Sequence, residues 1–144
     1  MSETRELSII ITDDDDGHAE LIREGLVNSG IGKSFIRFSN GEDLWNFLTG
    51  KKLNHVSYDS RKTYVVLLDI NMPRLDGIEV LQRIKEHAIL RRIPVIILTT
   101  TDDPAEVERC YGYGCNVYIT KPVDFSLFTE TLHRLGQFLQ VMTA

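Results

Sequence analysis

Short, uninterrupted apolar runs alternate along the chain with longer stretches whose apolar residues return every three or four positions. The runs are Leu7–Ile11, Tyr64–Leu68 and Val95–Leu98, with weaker versions at Phe35–Phe38 and Val117–Ile119. They are rich in Ile, Val and Leu and too short for helices, so they predict buried parallel strands. Between them, Ala19, Ile22 and Leu26 share one helical face, and Leu44 with Phe47 and Leu48 follow Asn40-Gly41. Ile78, Leu81, Ile84 and Ala88 repeat at threes and fours, and Phe128, Leu132, Leu135 and Leu139 form the last stripe. Val107 and Cys110-Tyr111 follow Asp102-Asp103-Pro104, which supplies an N-cap candidate and a proline for a first turn. A strand followed by a helix, five times over, predicts an α/β protein: a doubly wound, five-stranded parallel sheet with helices on both faces.

In such sheets reactive groups gather at the carboxyl ends of the strands. Those ends carry Thr12-Asp13-Asp14, Asp69, Thr99-Thr100 and Thr120-Lys121. The one long polar stretch, GKKLNHVSYDSRK at 50–62, is expected to be a surface insertion, because both flanks belong to the same series.

Composition narrows the picture. The 144 residues are 42% apolar and 26% charged, as expected for one globular domain over 1–144 with no separate output domain. Sixteen basic against 21 acidic residues leave a net charge of −5, which argues against nucleic acid or a polybasic membrane anchor. Two cysteines, Cys110 and Cys115, are too few for a disulfide scaffold and read as reduced thiols. The N-terminal MSETRELSIII is too short in its apolar run for a signal peptide or membrane span, so a cytoplasmic protein with no membrane partner is expected. No glycine-rich nucleotide loop, EF-hand or nucleophile elbow is present, and the fold leaves no room for a helix-turn-helix.

The chemistry concentrates on Asp13, Asp14 and Asp69. Carboxylates about 4 Å apart repel by roughly 4 kcal/mol per pair at an effective dielectric near 20, so convergence calls for protons or a cation. A hard divalent ion with oxygen ligands serves at neutral pH, and magnesium typically takes one or two carboxylates, waters and a phosphoryl oxygen. Lys121 and the Thr99 hydroxyl at neighbouring strand ends complete a site for a phosphoryl group, with Asp69 as the attacking carboxylate.

These residues resemble the receiver domain of a two-component response regulator. The matching segments are IIITDD at 9–14, LLDINMPRLDG at 67–77, VIILTT at 95–100 and YITKP at 118–122. Thr99 follows Asp69 by 30 residues and Lys121 follows Thr99 by 22, which fits that family's order and spacing. The resemblance implies a flavodoxin-like sheet of order 2-1-3-4-5. It implies Asp69 as phosphoacceptor, with magnesium held by Asp13, Asp14, Asp69 and the backbone carbonyl of Asn71. Thr99 and Lys121 would bind phosphoryl oxygens, and Thr99 with Tyr118 would form a switch. Pro122 would fix the lysine loop through a preceding cis peptide. The resemblance implies a signalling domain that assists its own phosphorylation and dephosphorylation rather than an enzyme.

GIEVLQRIKEHAILRRIPVIILTT at 77–100 and NVYITKPVDFSLF at 116–128 resemble, more narrowly, the small regulators paired with phytochromes. That likeness implies a phytochrome-type sensor histidine kinase as donor. It also implies a homodimer through helix 4, strand 5 and helix 5, where Tyr111, Tyr113 and Phe125 could serve a partner. Thr12 stands where the family usually has an apolar residue, and Asp15 and Asp16 extend the acidic pair. The alternative resemblance is to haloacid-dehalogenase-like phosphohydrolases, with Asp14-Asp15-Asp16-Gly17-His18 as the nucleophile motif and Asp14 as nucleophile. That family needs a late acidic pair, which Asp124 and Glu130 do not form. The histidines His18, His55, His87 and His133 lack metal spacing and read as surface residues, and Trp45 reads as helix packing.

Overall fold

Five parallel strands pair in the order β2-β1-β3-β4-β5 in a computed structural model that describes residues 7–31, 34–51 and 56–142. The strands are β1 (Leu7–Thr12), β2 (Ser34–Phe38), β3 (Thr63–Leu68), β4 (Val95–Thr99) and β5 (Val117–Thr120). The helices are α1 (Asp16–Asn28), α2 (Gly41–Leu48), α3 (Gly77–Glu86), α4 (Pro104–Tyr113) and α5 (Phe125–Met142). The expected class, strand order and helix placement are those observed. His55 and part of the 50–62 insertion lie outside the described residues, as does the start of the N-terminal segment.

The central strands carry apolar residues at successive positions because both sheet faces are covered. Side chains alternate between faces, so Ile10, Val66, Leu68, Val95 and Ile97 pack with Leu44, Phe47, Leu81, Ile84 and Cys110 from α2, α3 and α4. Ile9, Ile11, Val65, Leu67, Ile96 and Leu98 pack on the other side with Ile22, Leu26, Leu132, Leu135 and Leu139 from α1 and α5. Register follows: Ile10 pairs with Ile36 and Val66, and Leu98 with Ile119. The described part of the insertion is tied down by aromatic residues: Tyr58 stacks on Tyr64 at 5.0 Å, and Tyr64 accepts from Asp59 N.

Helix ends follow the sequence signals with one exception. Asp103 caps α4 by accepting from Ala105 N, Pro104 opens the helix, and Gly114 closes it at a left-handed φ of 103°. Ala88, expected on the α3 stripe, lies beyond the helix. His87 turns extended, and its Nδ1 accepts from the backbone of Ile89 and Leu90, which ends α3 at Glu86. Cys110 and Cys115 are both buried and free, and burial pushes both thiols up to about 11.

Thr12 is 1% exposed, and its Oγ1 is the buried side-chain polar atom without a hydrogen-bond partner among the described residues. Thr12→Val keeps the shape and removes the unsatisfied hydroxyl. It is expected to stabilise the chain by about 1 kcal/mol and raise the melting temperature by about 2–4 °C, measured by calorimetry.

Candidate functional site

Strand order places β1 and β3 side by side with β4 next to β3, so their carboxyl ends converge. Asp13 follows β1 directly, and its backbone N–H donates to Phe38 O at 3.1 Å. Asp69 follows β3, and its N–H donates to Thr12 O at 3.0 Å. Carboxylate oxygens of Asp13, Asp14 and Asp69 all lie within 4.8 Å of one another. Asp13 and Asp69 are buried and Asp14 is exposed, so the cluster opens to solvent on the Asp14 side. Asp15 and Asp16 are used differently. Asp15 is the N-cap of α1, accepting from His18 N at 2.9 Å, and this bond lowers its pKa. Asp16 begins the helix and pairs with Arg37 at 2.6 Å.

Thr99, at the end of β4, donates to Asp69 Oδ1 at 2.7 Å, and Asn71 N–H donates to the same oxygen at 3.2 Å. Lys121, just after β5, reaches Asp13 Oδ2 at 2.5 Å and Asp69 Oδ2 at 3.3 Å, with its side chain 1% exposed. Its backbone N–H donates to Thr99 O at 2.6 Å, which ties the lysine loop to β4. The ion pairs are therefore buried, and burial dominates Asp13: desolvation raises its pKa above the ordinary carboxylate value although Lys121 opposes the shift.

The loop carrying Asp69 into α3 is tightly made. Asp76 caps α3 through Glu79 N at 3.0 Å, and Gly77 N–H donates to Ile70 O at 2.9 Å. A Cβ at Gly77 would collide with the Asp69 carbonyl, so this position needs glycine for close approach. Arg74 and Leu75 hold left-handed φ values of 51° and 73°, a strained stretch retained beside the site. Arg74 O accepts from Glu42 N at 2.9 Å, which straps the loop to the start of α2.

A chain of bonds leads outward. Asn71 Nδ2 donates to Thr101 Oγ1 at 2.8 Å, Tyr118 OH donates to Thr101 O at 2.5 Å, and Tyr118 N–H donates to Tyr111 OH at 3.0 Å. Burial, followed by nearby Cys110 and acidic groups, pushes the Tyr118 phenol up to about 12. Tyr111 is 49% exposed and Phe125 65%, whereas Tyr113 packs against the core. The peptide bond before Pro122 is trans, which corrects the expectation of a cis bond: the described residues contain no cis peptide. The lysine loop is held instead by the bond from Lys121 N–H to Thr99 O.

Two residues escaped the sequence reading. His18, a surface histidine on its spacing alone, places Nδ1 3.1 Å from Lys121 Nζ. Arg37 donates to Asp13 O from Nε at 3.2 Å and Nη2 at 2.7 Å, clamping the backbone of the acidic loop. Arg37 lies near the end of β2, and pairing of β2 with β1 is the signal that could have found it. His18 sits in the first turn after the acidic run, over the end of β1.

An ionised Asp13 costs the fold stability, because its folded pKa is raised. The stability that the protonated form contributes is fully present below pH 3.8 and is lost as pH rises through the folded value. A divalent cation at the cluster offsets the cost once the carboxylates are ionised. Magnesium is thus expected to raise the melting temperature at pH 7. The increment should shrink as pH falls toward the raised value of Asp13, checked by melting with magnesium or EDTA across pH.

Residues 9–133 match the response regulator receiver domain family. Response regulator Rcp1 of Synechocystis is 35% identical over 115 residues, covering 78% of this chain and 75% of its own. The Mn2+-bound crystal structure of a response regulator Rcp1 superposes with a TM-score of 0.83 at 30% identity, covering 92% and 93% of the two chains. A receiver domain from Rhodospirillum rubrum is 40% identical with a TM-score of 0.83, covering 93% and 94%. The phosphorylated cyanobacterial phytochrome response regulator RcpA is 29% identical with a TM-score of 0.82, covering 92% and 93%. Among the described residues no helix is long and apolar enough to cross a membrane.

Proposed function

Because this chain belongs to the response regulator receiver domain family, we propose that it takes a phosphoryl group onto Asp69 from a sensor histidine kinase in a magnesium-dependent reaction. One observation carries the reading: Asp69 stands among two further carboxylates, a buried lysine and a hydroxyl donor, all at strand ends. An Asp69 oxygen attacks the phosphorus of the donor phosphohistidine, the N–P bond breaks, and its electron pair returns to the imidazole. Thr99 and Lys121 donate to phosphoryl oxygens as the group arrives. Asp13, Asp14, Asp69 and the Asn71 carbonyl would hold the cation, whose positive charge neutralises the crowded oxygens. Rcp1 has been crystallised with Mn2+, which supports an acidic pocket suited to divalent ions. Incubation with acetyl phosphate should add one phosphoryl group in magnesium and none in EDTA. Labelling indifferent to EDTA would reject the metal assignment.

The donor is proposed to be a phytochrome-like kinase, on the likeness to Rcp1 and RcpA. The output is proposed to be a change in association through α4, β5 and α5, in a protein that signals rather than turns over substrate. Thr99 moving toward the phosphoryl group would pull on β4, and the bonds through Thr101 and Tyr118 lead to exposed Tyr111. Shifting such a switch from 1:99 to 99:1 takes about 5.5 kcal/mol of differential stabilisation, within reach of several charge-assisted bonds. Sedimentation with beryllofluoride should show a doubled mass at tens of micromolar protein. An unchanged mass would exclude homodimer switching.

A further inference from the structure

Given Asp69 as phosphoacceptor, we propose that His18 is a positioning residue. Its Nδ1 accepts a hydrogen bond from Lys121 and holds the ammonium between Asp13 and Asp69. An ammonium carries three donors and no acceptor. Lys121 Nζ has three neighbours to match: Asp13 Oδ2 at 2.5 Å, His18 Nδ1 at 3.1 Å and Asp69 Oδ2 at 3.3 Å. Nδ1 therefore accepts, and the ring hydrogen sits on Nε2.

The two carboxylates compete for one cation on a flexible four-carbon stem, and the shorter bond is to Asp13. The third contact restricts the ammonium and keeps it within reach of Asp69. His18 is itself held from two elements. Its backbone N–H donates to the Asp15 carboxylate at 2.9 Å in the first turn of α1, and its ring lies 6.0 Å from that of Phe128 on α5. Phe128 is buried, whereas the His18 side chain is 36% exposed, so the imidazole is braced against the core without belonging to it. The charged groups beside the ring are Lys121 and the Asp15 carboxylate, 3.9 Å from Nδ1. A lysine already aligned meets the incoming phosphoryl oxygens with little reorganisation.

The test is the rate of phosphoryl uptake from acetyl phosphate by the full chain at saturating magnesium. His18→Leu is expected to slow uptake about tenfold. His18→Asn, whose Oδ1 lies where Nδ1 lies, should stay within about twofold, because it keeps the acceptor. In a Lys121→Ala background the His18→Leu exchange should cost less than about twofold more, since its partner is gone. A slow asparagine variant, or a full tenfold loss without Lys121, overturns the proposal. NMR of the lysine ammonium groups gives a second readout: a protected Lys121 signal retained in His18→Asn and lost in His18→Leu. Failure of the receiver reading looks different, because the wild-type chain itself would then take up no phosphoryl group.

Discussion

Asp69→Asn is expected to take up no detectable phosphoryl group while keeping its fold. An amide oxygen is not a competent nucleophile here, so the loss exceeds about a thousandfold. Stability should move by only about 1 kcal/mol, because the bond lost from Lys121 to Oδ2 is offset by relief of the repulsion among three crowded carboxylates. Thr99 and Asn71 N–H still find an oxygen at the Oδ1 position, and Lys121 keeps its 2.5 Å bond to Asp13. Removing one carboxylate also weakens the cation site, so magnesium should bind less tightly. Uptake by intact-mass measurement, beside a melting curve, separates loss of chemistry from loss of structure.

Lys121→Ala is expected to have the largest effect on stability. The lysine is 3% exposed and is the cation paired with both Asp13 and Asp69. Truncation leaves buried carboxylates without that partner, which costs about 3 kcal/mol, at the low end for broken buried pairs because the site opens at Asp14. In EDTA at pH 7 the melting temperature should fall by about 6–12 °C. Magnesium should recover part of that, because it supplies the missing charge. Phosphoryl uptake should fall by about a hundredfold through lost stabilisation of the transferring oxygens. A variant that melts like the wild type in EDTA would mean that the ion pairs are not formed in solution.

Most of the fold was legible because the buried strands tolerate only apolar residues and each helix shows one apolar stripe. Ile9–Ile11 and Val95–Leu98 are unambiguous for that reason. Ala88 misled because a stripe does not show where a helix stops. His87 ends α3 by offering its ring nitrogen to the following backbone, and periodicity does not report that. The acids and Lys121 were legible because strand ends converge in any doubly wound sheet. His18 and Arg37 were not, because their roles depend on which element lies beside which. Arg37 reaches the acidic loop only because β2 pairs with β1. His18 reaches Lys121 across 103 residues of sequence, over the end of the sheet. The trans peptide before Pro122 shows the limit of carrying a family feature onto one chain.

The most direct measurement is the position of the phosphoryl group on the wild-type chain. The protein is labelled with acetyl phosphate and magnesium, reduced with borohydride at the acyl phosphate, digested, and sequenced by mass spectrometry. The expected result is one modified residue per chain, at Asp69. Modification at Asp14, or at any residue other than Asp69, would contradict the assignment of Asp69 as phosphoacceptor.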